Sequence, residues 1–167
     1  MSLRAGVAAL ALWACALLAG AAHAQAPLQA FDAGTPAALR ARHAGQPYVL
    51  AFWSTTCEPC REEMPVLRAL QRKYPGVPIH LVAADPPGEQ AAVTAFLKRY
   101  DPGRVTRWAF ADEFAERVRH AIDPRWRGEL PRTYLFDARH VPETITGRLE
   151  PARLEAWMRA QARPAPR

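Results

Sequence analysis

The sequence predicts an α/β protein in which helices flank a mixed central sheet. The continuous apolar run from Tyr48 to Trp53 is typical of a strand buried on both faces, Val77 to Ala84 predicts a second buried strand, and a segment of helical composition follows each of them. Near the C-terminus a strand, a turn and further apolar residues indicate a hairpin, which a last helix follows. Strands that alternate with helices and end in a hairpin predict an α/β sandwich.

The first 24 residues predict an export signal. Arg4 supplies a positive charge, Ala5 to Ala22 is an uncharged stretch of 18 residues, and Ala22-His23-Ala24 gives a small-x-small cleavage pattern. The alternative is an uncleaved membrane anchor, since the length of this stretch reaches the lower end of the roughly 17 to 25 residues that span a bilayer. We therefore expect a signal peptide or anchor over 1–24, one domain over 25–162 and a disordered tail over 163–167.

Local signals define the elements up to the second strand. Gln25 to Phe31 is an extended lead-in, and Thr35-Pro36 predicts the cap and the first position of a helix that runs to about Ala44. The central strand, Tyr48 to Trp53, comes next. The helix that we expect over Arg61 to Tyr74 contains Pro65, which removes one backbone hydrogen bond and predicts a bend within the helix.

The second half of the chain continues the alternation. We expect a turn at 137–140 and further strand residues at Val141 and Ile145 after a strand that begins at Thr133. The remaining predicted elements are a helix over Glu89 to Tyr100, a short extended segment over Thr106 to Ala111, a helix over Asp112 to Ala121, a loop over Asp123 to Gly128 and a last helix over Pro151 to Gln161.

Cysteine content and charge restrict the class of function. Cleavage would remove Cys15 and leave Cys57 and Cys60, an even number that suits an oxidising compartment. The net charge of +6 includes Arg4, so that residues 25–167 carry 21 basic and 16 acidic side chains. The arginines are scattered instead of clustered, which argues against a nucleic-acid-binding protein and indicates a solvated surface.

Cys57 and Cys60 lie at the predicted junction between the central strand and the helix that follows it. At a helix N-terminus, unpaired backbone N–H groups and the helix dipole stabilise a thiolate, which is the nucleophile in disulfide exchange. We therefore expect Cys57 to attack and Cys60, one turn further on, to resolve the mixed disulfide. Glu58 opposes the effect of the helix terminus and of Arg61, so the thiol pKa stays open.

Two other roles for this pair remain. As a structural disulfide it would close a four-residue loop, which stabilises by only roughly 2 kcal/mol in the loop-entropy estimate. As a metal site it offers two thiolates, and zinc sites normally have a second such pair. Four histidines could complete such a metal site only if the fold brought them near the cysteines: His43, His80, His120 and His140. We expect no bound cofactor.

The longer run from Phe52 to Pro65 resembles the active site of exported thioredoxin-like proteins of the TlpA and ResA kind, also called DsbE-type. The resemblance continues through Ile79 to Ala84 and Leu130 to Asp137, and reaches Gly147 before the last helix. It covers about residues 47–160. It implies a thioredoxin fold with a short N-terminal extension and a thiol-disulfide oxidoreductase activity.

The resemblance also implies two further site residues. Pro131 matches a proline that is cis in this family and faces the cysteine pair, where it leaves backbone groups free to pair with an extended substrate. The alternative for Pro131 is an ordinary edge-strand proline. Ala51 stands where thioredoxin has a buried Asp, and Glu63 matches a glutamate that could accept the proton of Cys60. The alternative for Glu63 is a solvated residue on a helix face.

The substrate class follows from the resemblance, and the location from the resemblance together with the predicted export signal. The resemblance implies an extracytoplasmic monomer that reduces disulfides of apocytochrome c or of copper-site cysteines and is recharged by a membrane electron donor. Thr56 and Arg132 depart from the family pattern at two positions that we expect on the rim that meets partners. The rival hypothesis is a carrier of copper or another metal that binds through Cys57, Cys60 and a histidine.

Overall fold

The computed structural model describes residues 27–162, and the predicted leader and tail lie outside this range. Six strands form one sheet in the order β1-β4-β3-β2-β5-β6. β1 pairs with β4, β4 with β3 and β3 with β2 in parallel, whereas β2 with β5 and β5 with β6 are antiparallel. The strands are β1 (Gln29–Phe31), β2 (Tyr48–Trp53), β3 (Ile79–Ala83), β4 (Thr106–Phe110), β5 (Arg132–Phe136) and β6 (Pro142–Thr146).

Five α-helices cover the two faces of this sheet. They are α1 (Thr35–Arg42), α2 (Glu58–Lys73), α3 (Gln90–Tyr100), α4 (Ala115–Ile122) and α5 (Pro151–Gln161), and a 3-10 helix (Pro87–Glu89) precedes α3. The predicted α/β architecture with a mixed sheet is confirmed. None of the helices within 27–162 is long and apolar enough to cross a bilayer.

Strand β2 has a hydrophobic cluster on each of its faces. One face contributes Val49, Ala51 and Trp53 to a cluster with α2, α3 and α5, and the other contributes Leu50 and Phe52 to a cluster with α1 and α4. All six residues of β2 are buried. The prediction of a central strand buried on both faces is confirmed, because an apolar side chain at every position needs a cover on each side.

Helix α2 begins earlier than its composition predicts. Glu58 is its first residue, three positions ahead of the expected start at Arg61, and Cys57 is the N-cap. The helix continues through Pro65 to Lys73, so this proline does not end it. Both cysteines thus lie at the helix N-terminus, where the junction between strand and helix predicts them.

Three other boundaries differ from the predictions. Thr35 is the first residue of α1 and not its cap: the N-cap is Gly34, and Asp32 Oδ1 accepts from Gly34 N, Thr35 N and Thr35 Oγ1 at 2.8 to 2.9 Å. Helix α4 begins at Ala115 instead of Asp112. Val141 lies before β6 and is 58% exposed. β6 is an edge strand in which only Ile145 is buried, so it needs no second apolar residue.

Candidate active site

The sulfur atoms of Cys57 and Cys60 lie at the end of the central strand. They form a disulfide with a Cα–Cα distance of 5.3 Å. Cys57 is partly exposed, whereas Cys60 is fully buried in the first turn of α2. The backbone N of Cys60 donates to Cys57 Sγ at 3.3 Å. An N–H group thus already faces the sulfur on which negative charge would develop when the disulfide is reduced.

The charge of Glu58 beside this pair is largely compensated. Arg61 Nη2 donates to Glu58 Oε1 at 3.0 Å, one turn along α2, and both side chains are exposed. A solvated pair of this kind contributes little to stability. It does reduce the repulsion between the Glu58 carboxylate and a Cys57 thiolate, which the sequence alone left open.

A carboxylate that the sequence analysis missed holds the loop before Cys57. Asp85 follows β3 and is 5% exposed. Thr55 N donates to its Oδ1 at 2.9 Å and to its Oδ2 at 3.2 Å, and Thr55 Oγ1 donates to Oδ1 at 2.5 Å. The sequence does contain a signal for Asp85: an acidic residue directly after a buried strand, at the edge of the sheet where β2 also ends.

Pro131 lies next to the cysteine loop. The Leu130-Pro131 bond is cis, as the resemblance implies, and Pro131 is buried. Arg132 pairs with Phe52 in the antiparallel register of β5 and β2, so Pro131 lies level with Trp53, the last residue before the loop. The role of Pro131 in pairing with a substrate stays a prediction.

The expectation that Arg132 lies on the partner-facing rim is wrong. Arg132 is 9% exposed, and its guanidinium group donates to three buried or half-buried oxygen atoms. These are Tyr134 Oη at 2.9 Å, Thr146 Oγ1 at 2.8 Å and Asp123 Oδ2 at 2.8 Å. Arg132 and Tyr134 lie on the same face of the sheet. The Arg132 side chain therefore lies below the protein surface, where these oxygens accept its hydrogen bonds. Thr56, by contrast, is exposed.

Glu63 is a buried carboxyl group, not a solvated one. It is 6% exposed and accepts a hydrogen bond from Leu149 N at 2.7 Å. Burial raises the pKa of Glu63 to about 7, although the Leu149 N–H and the charge of Arg148 act in the opposite direction. A carboxyl group that titrates near neutral pH, one turn beyond Cys60 in α2, suits proton transfer. Its participation stays a prediction.

The histidines do not complete a metal site with the cysteines in the described part of the chain. Within 27–162 no three His, Cys, Asp or Glu side chains are grouped so that they could hold a metal ion. His43 and His80 join Nε2 to Nε2 at 2.8 Å, and Trp108 Nε1 donates to His80 Nδ1 at 3.1 Å. His80 packs against Tyr48 and Trp108, which belong to the cluster on the sheet face opposite α2.

Comparisons with known proteins agree with this geometry. The profile of the AhpC/TSA family matches residues 21–142. The thiol-disulfide oxidoreductase ResA of Bacillus cereus is 30% identical over 115 residues, which are 68% of this chain and 62% of that protein. ResA of Oceanobacillus iheyensis is 30% identical over 68% of this chain and 56% of its own length. The chain thus spans less than two thirds of these relatives.

Solved structures share the fold. A thiol:disulfide interchange protein of the thioredoxin family from Chlorobium tepidum superposes with a TM-score of 0.61 at 20% identity, over 74% of this chain and 84% of that one. A secreted disulfide oxidoreductase of Mycobacterium tuberculosis, homologous to DsbE of E. coli, gives 0.59 at 20% identity, over 72% and 85% of the two chains. At this identity the likeness establishes the thioredoxin fold alone, and it confirms the predicted fold.

Proposed function

Because the chain belongs to the AhpC/TSA family, we propose that it is an extracytoplasmic thiol-disulfide oxidoreductase that exchanges electrons with other proteins through Cys57. The observation that carries the proposal is the pair of sulfurs at the N-terminus of α2, with Cys57 accessible and Cys60 buried behind it. An accessible sulfur can meet a protein client, and a buried one can only complete the exchange.

The proposed reaction has two steps. The Cys57 thiolate bonds to one sulfur of a client disulfide, whose S–S bond breaks, and the released client sulfur takes up a proton. Cys60 then gives its proton to Glu63 and bonds to Cys57, which frees the second client sulfur as a thiolate that is protonated in turn. The client gains two electrons and two protons, and the chain is left with the Cys57–Cys60 disulfide.

Direction, clients and location rest on the resemblance to the ResA and DsbE-type proteins. We propose net reduction of client disulfides, with apocytochrome c or copper-site cysteines as clients and a membrane electron donor that restores the dithiol. The relatives support the reaction class, since they include thiol-disulfide oxidoreductases. The secreted neighbour and the leader-like start of the sequence support export.

Trapping of the mixed disulfide tests the proposal. The reduced Cys60→Ser variant, mixed with a small protein disulfide such as insulin, should accumulate a covalent adduct that dithiothreitol releases. Cys57→Ser should form none. Cys15→Ala in both backgrounds excludes a contribution from the leader thiol. Failure of the Cys60→Ser variant to form an adduct, with Cys57 alkylated normally in the same sample, would refute the proposed exchange.

The metal-carrier alternative has its own test. A carrier should retain stoichiometric copper or zinc after purification without a tag and dialysis, and should lose it in Cys57→Ser. An oxidoreductase should hold no stoichiometric metal under these conditions.

A further inference from the structure

The Asp85 carboxylate lies directly under the loop that carries Cys57. Ala84 N donates to Trp53 O at 2.8 Å, so the chain segments that leave β3 and β2 run side by side at this edge of the sheet. Asp85 comes next on one of them and accepts all its hydrogen bonds from Thr55 on the other. Thr55 is two residues from Cys57, which corresponds to at most about 7 Å between their Cα atoms.

The charge of Asp85 has no basic partner in the described chain. Within 27–162 no Lys, Arg or His nitrogen lies within ion-pair distance of its oxygens, and its donors, Thr55 N and Thr55 Oγ1, are neutral groups. A buried charge is screened far less than an exposed one. The negative charge of Asp85 is therefore offset by the hydrogen bonds from Thr55 but by no positive charge within ion-pair distance in this part of the chain.

Other charged groups around the cysteines act differently. Glu58 is paired with Arg61 at 3.0 Å, and Glu62 contacts Arg148, so two of the three acidic side chains at the start of α2 have a basic partner. The third, Glu63, is a buried carboxyl group that accepts a hydrogen bond from Leu149 N. Within the described residues Glu63 likewise has no ion pair, but Asp85 is the buried acidic group whose hydrogen bonds go to the loop itself.

We propose that Asp85 is a positioning residue that fixes the 54–56 loop through Thr55 and, by its negative charge, disfavours the Cys57 thiolate and so inclines the pair towards electron donation. A stabilised thiolate makes the reduced form more stable and the protein a stronger oxidant, as in DsbA; destabilising the thiolate has the opposite effect. The inference deepens the proposed function, on which it rests, because it assigns a residue to the reductive direction.

Two variants separate the charge of Asp85 from its hydrogen bonds. Asp85→Asn keeps the size and an acceptor for Thr55 N but removes the charge. Thr55→Val keeps the charge and the backbone donor but removes the hydroxyl that compensates the charge in part. Thr55→Ser retains the hydroxyl and the backbone donor and is the matched control.

The readouts are the pH midpoint of Cys57 alkylation by iodoacetamide in the reduced protein and the equilibrium with glutathione. Asp85→Asn should lower the midpoint by about half a pH unit or more, which is about threefold more thiolate below the midpoint. It should shift the glutathione equilibrium towards the reduced protein by a similar factor. Thr55→Val should raise the midpoint, and Thr55→Ser should leave it unchanged.

The inference is overturned if folded Asp85→Asn has the wild-type midpoint. Should Asp85→Asn fail to fold, Thr55→Val decides, and an unchanged or lowered midpoint overturns the inference. Alkylation needs no client. A midpoint that shifts as expected in a protein that forms no adduct with insulin would therefore refute the proposed exchange while the electrostatic role of Asp85 stands.

Discussion

Replacement of Glu63 by Gln should change how stability depends on pH. Glu63 is almost fully buried, and its pKa is about 7 against an ordinary value of 4.5. Each pKa unit corresponds to about 1.4 kcal/mol, so complete ionisation of Glu63 costs the folded state about 3 kcal/mol. The pKa of Glu63 is higher in the folded than in the unfolded chain. The stability that the protonated carboxyl group preserves is therefore present in full below about pH 4.5 and is lost as the pH rises through 7.

Urea unfolding of the oxidised protein at pH 5 and pH 8 measures the effect. About 2 to 3 kcal/mol of the loss falls between these two pH values in the wild type, and the Glu63→Gln variant should lack it. Gln keeps an acceptor for Leu149 N, so the hydrogen bond is retained. The stability of Glu63→Gln relative to the wild type should therefore rise by about 2 to 3 kcal/mol from pH 5 to pH 8.

Glu62→Gln is the matched control, because Glu62 is the exposed neighbour of Glu63 in the same helix. Its stability relative to the wild type should change by less than about 1 kcal/mol over the same range. Equal pH dependence in the wild type and in Glu63→Gln would refute the reasoning, since Glu63 would then ionise as readily in the folded as in the unfolded chain.

Three further predictions concern the packing around the site. Arg132→Met should lower the free energy of unfolding by about 1 to 3 kcal/mol, measured by urea titration, because Asp123 Oδ2 loses its charged donor while Arg125 still binds Oδ1; a loss below about 1 kcal/mol would contradict this. Burial lowers the pKa of His80 to about 3, so stability that is complete above pH 6.5 should fall as the pH drops towards 3. The fall should be shallower in His80→Gln, and identical acid transitions would speak against a neutral His43–His80 pair. Met64→Ala should cost about 2 to 5 kcal/mol in thermal or urea unfolding, because Met64 is fully buried, and a smaller loss would mean that the core closes around the cavity.

Local patterns sufficed for the elements that position the cysteines. The six apolar residues of β2 predict a strand with two covered faces, and the structure has this strand with the same bounds. The N-terminus of α2 was misplaced because Glu58 and Pro59 are poor indicators of a helix interior, although both are favourable in a first turn. The position of the cysteines relative to the sheet was therefore predictable, while the helix boundary was not.

Contacts between distant residues escaped the sequence analysis. Asp85 lies 30 residues from Thr55, and His80 lies 37 residues from His43, so no local pattern connects either pair. Arg132 was expected on the rim because its neighbour Pro131 lies near the cysteines. The alternation of side chains along β5 directs it instead to the opposite face, towards Tyr134.

The place of β2 in the middle of the sheet also determines which part of the molecule opens first. Edge strands β1 and β6 have a neighbour on one side only, whereas β2 is bonded to β3 and β5 along its length. Fraying at the edges breaks few contacts, while separation of β2 disrupts both hydrophobic clusters. In native-state hydrogen exchange, amides of β2 should thus be among the slowest, and the end of β2 from which the loop to Cys57 starts should stay paired when an edge strand frays.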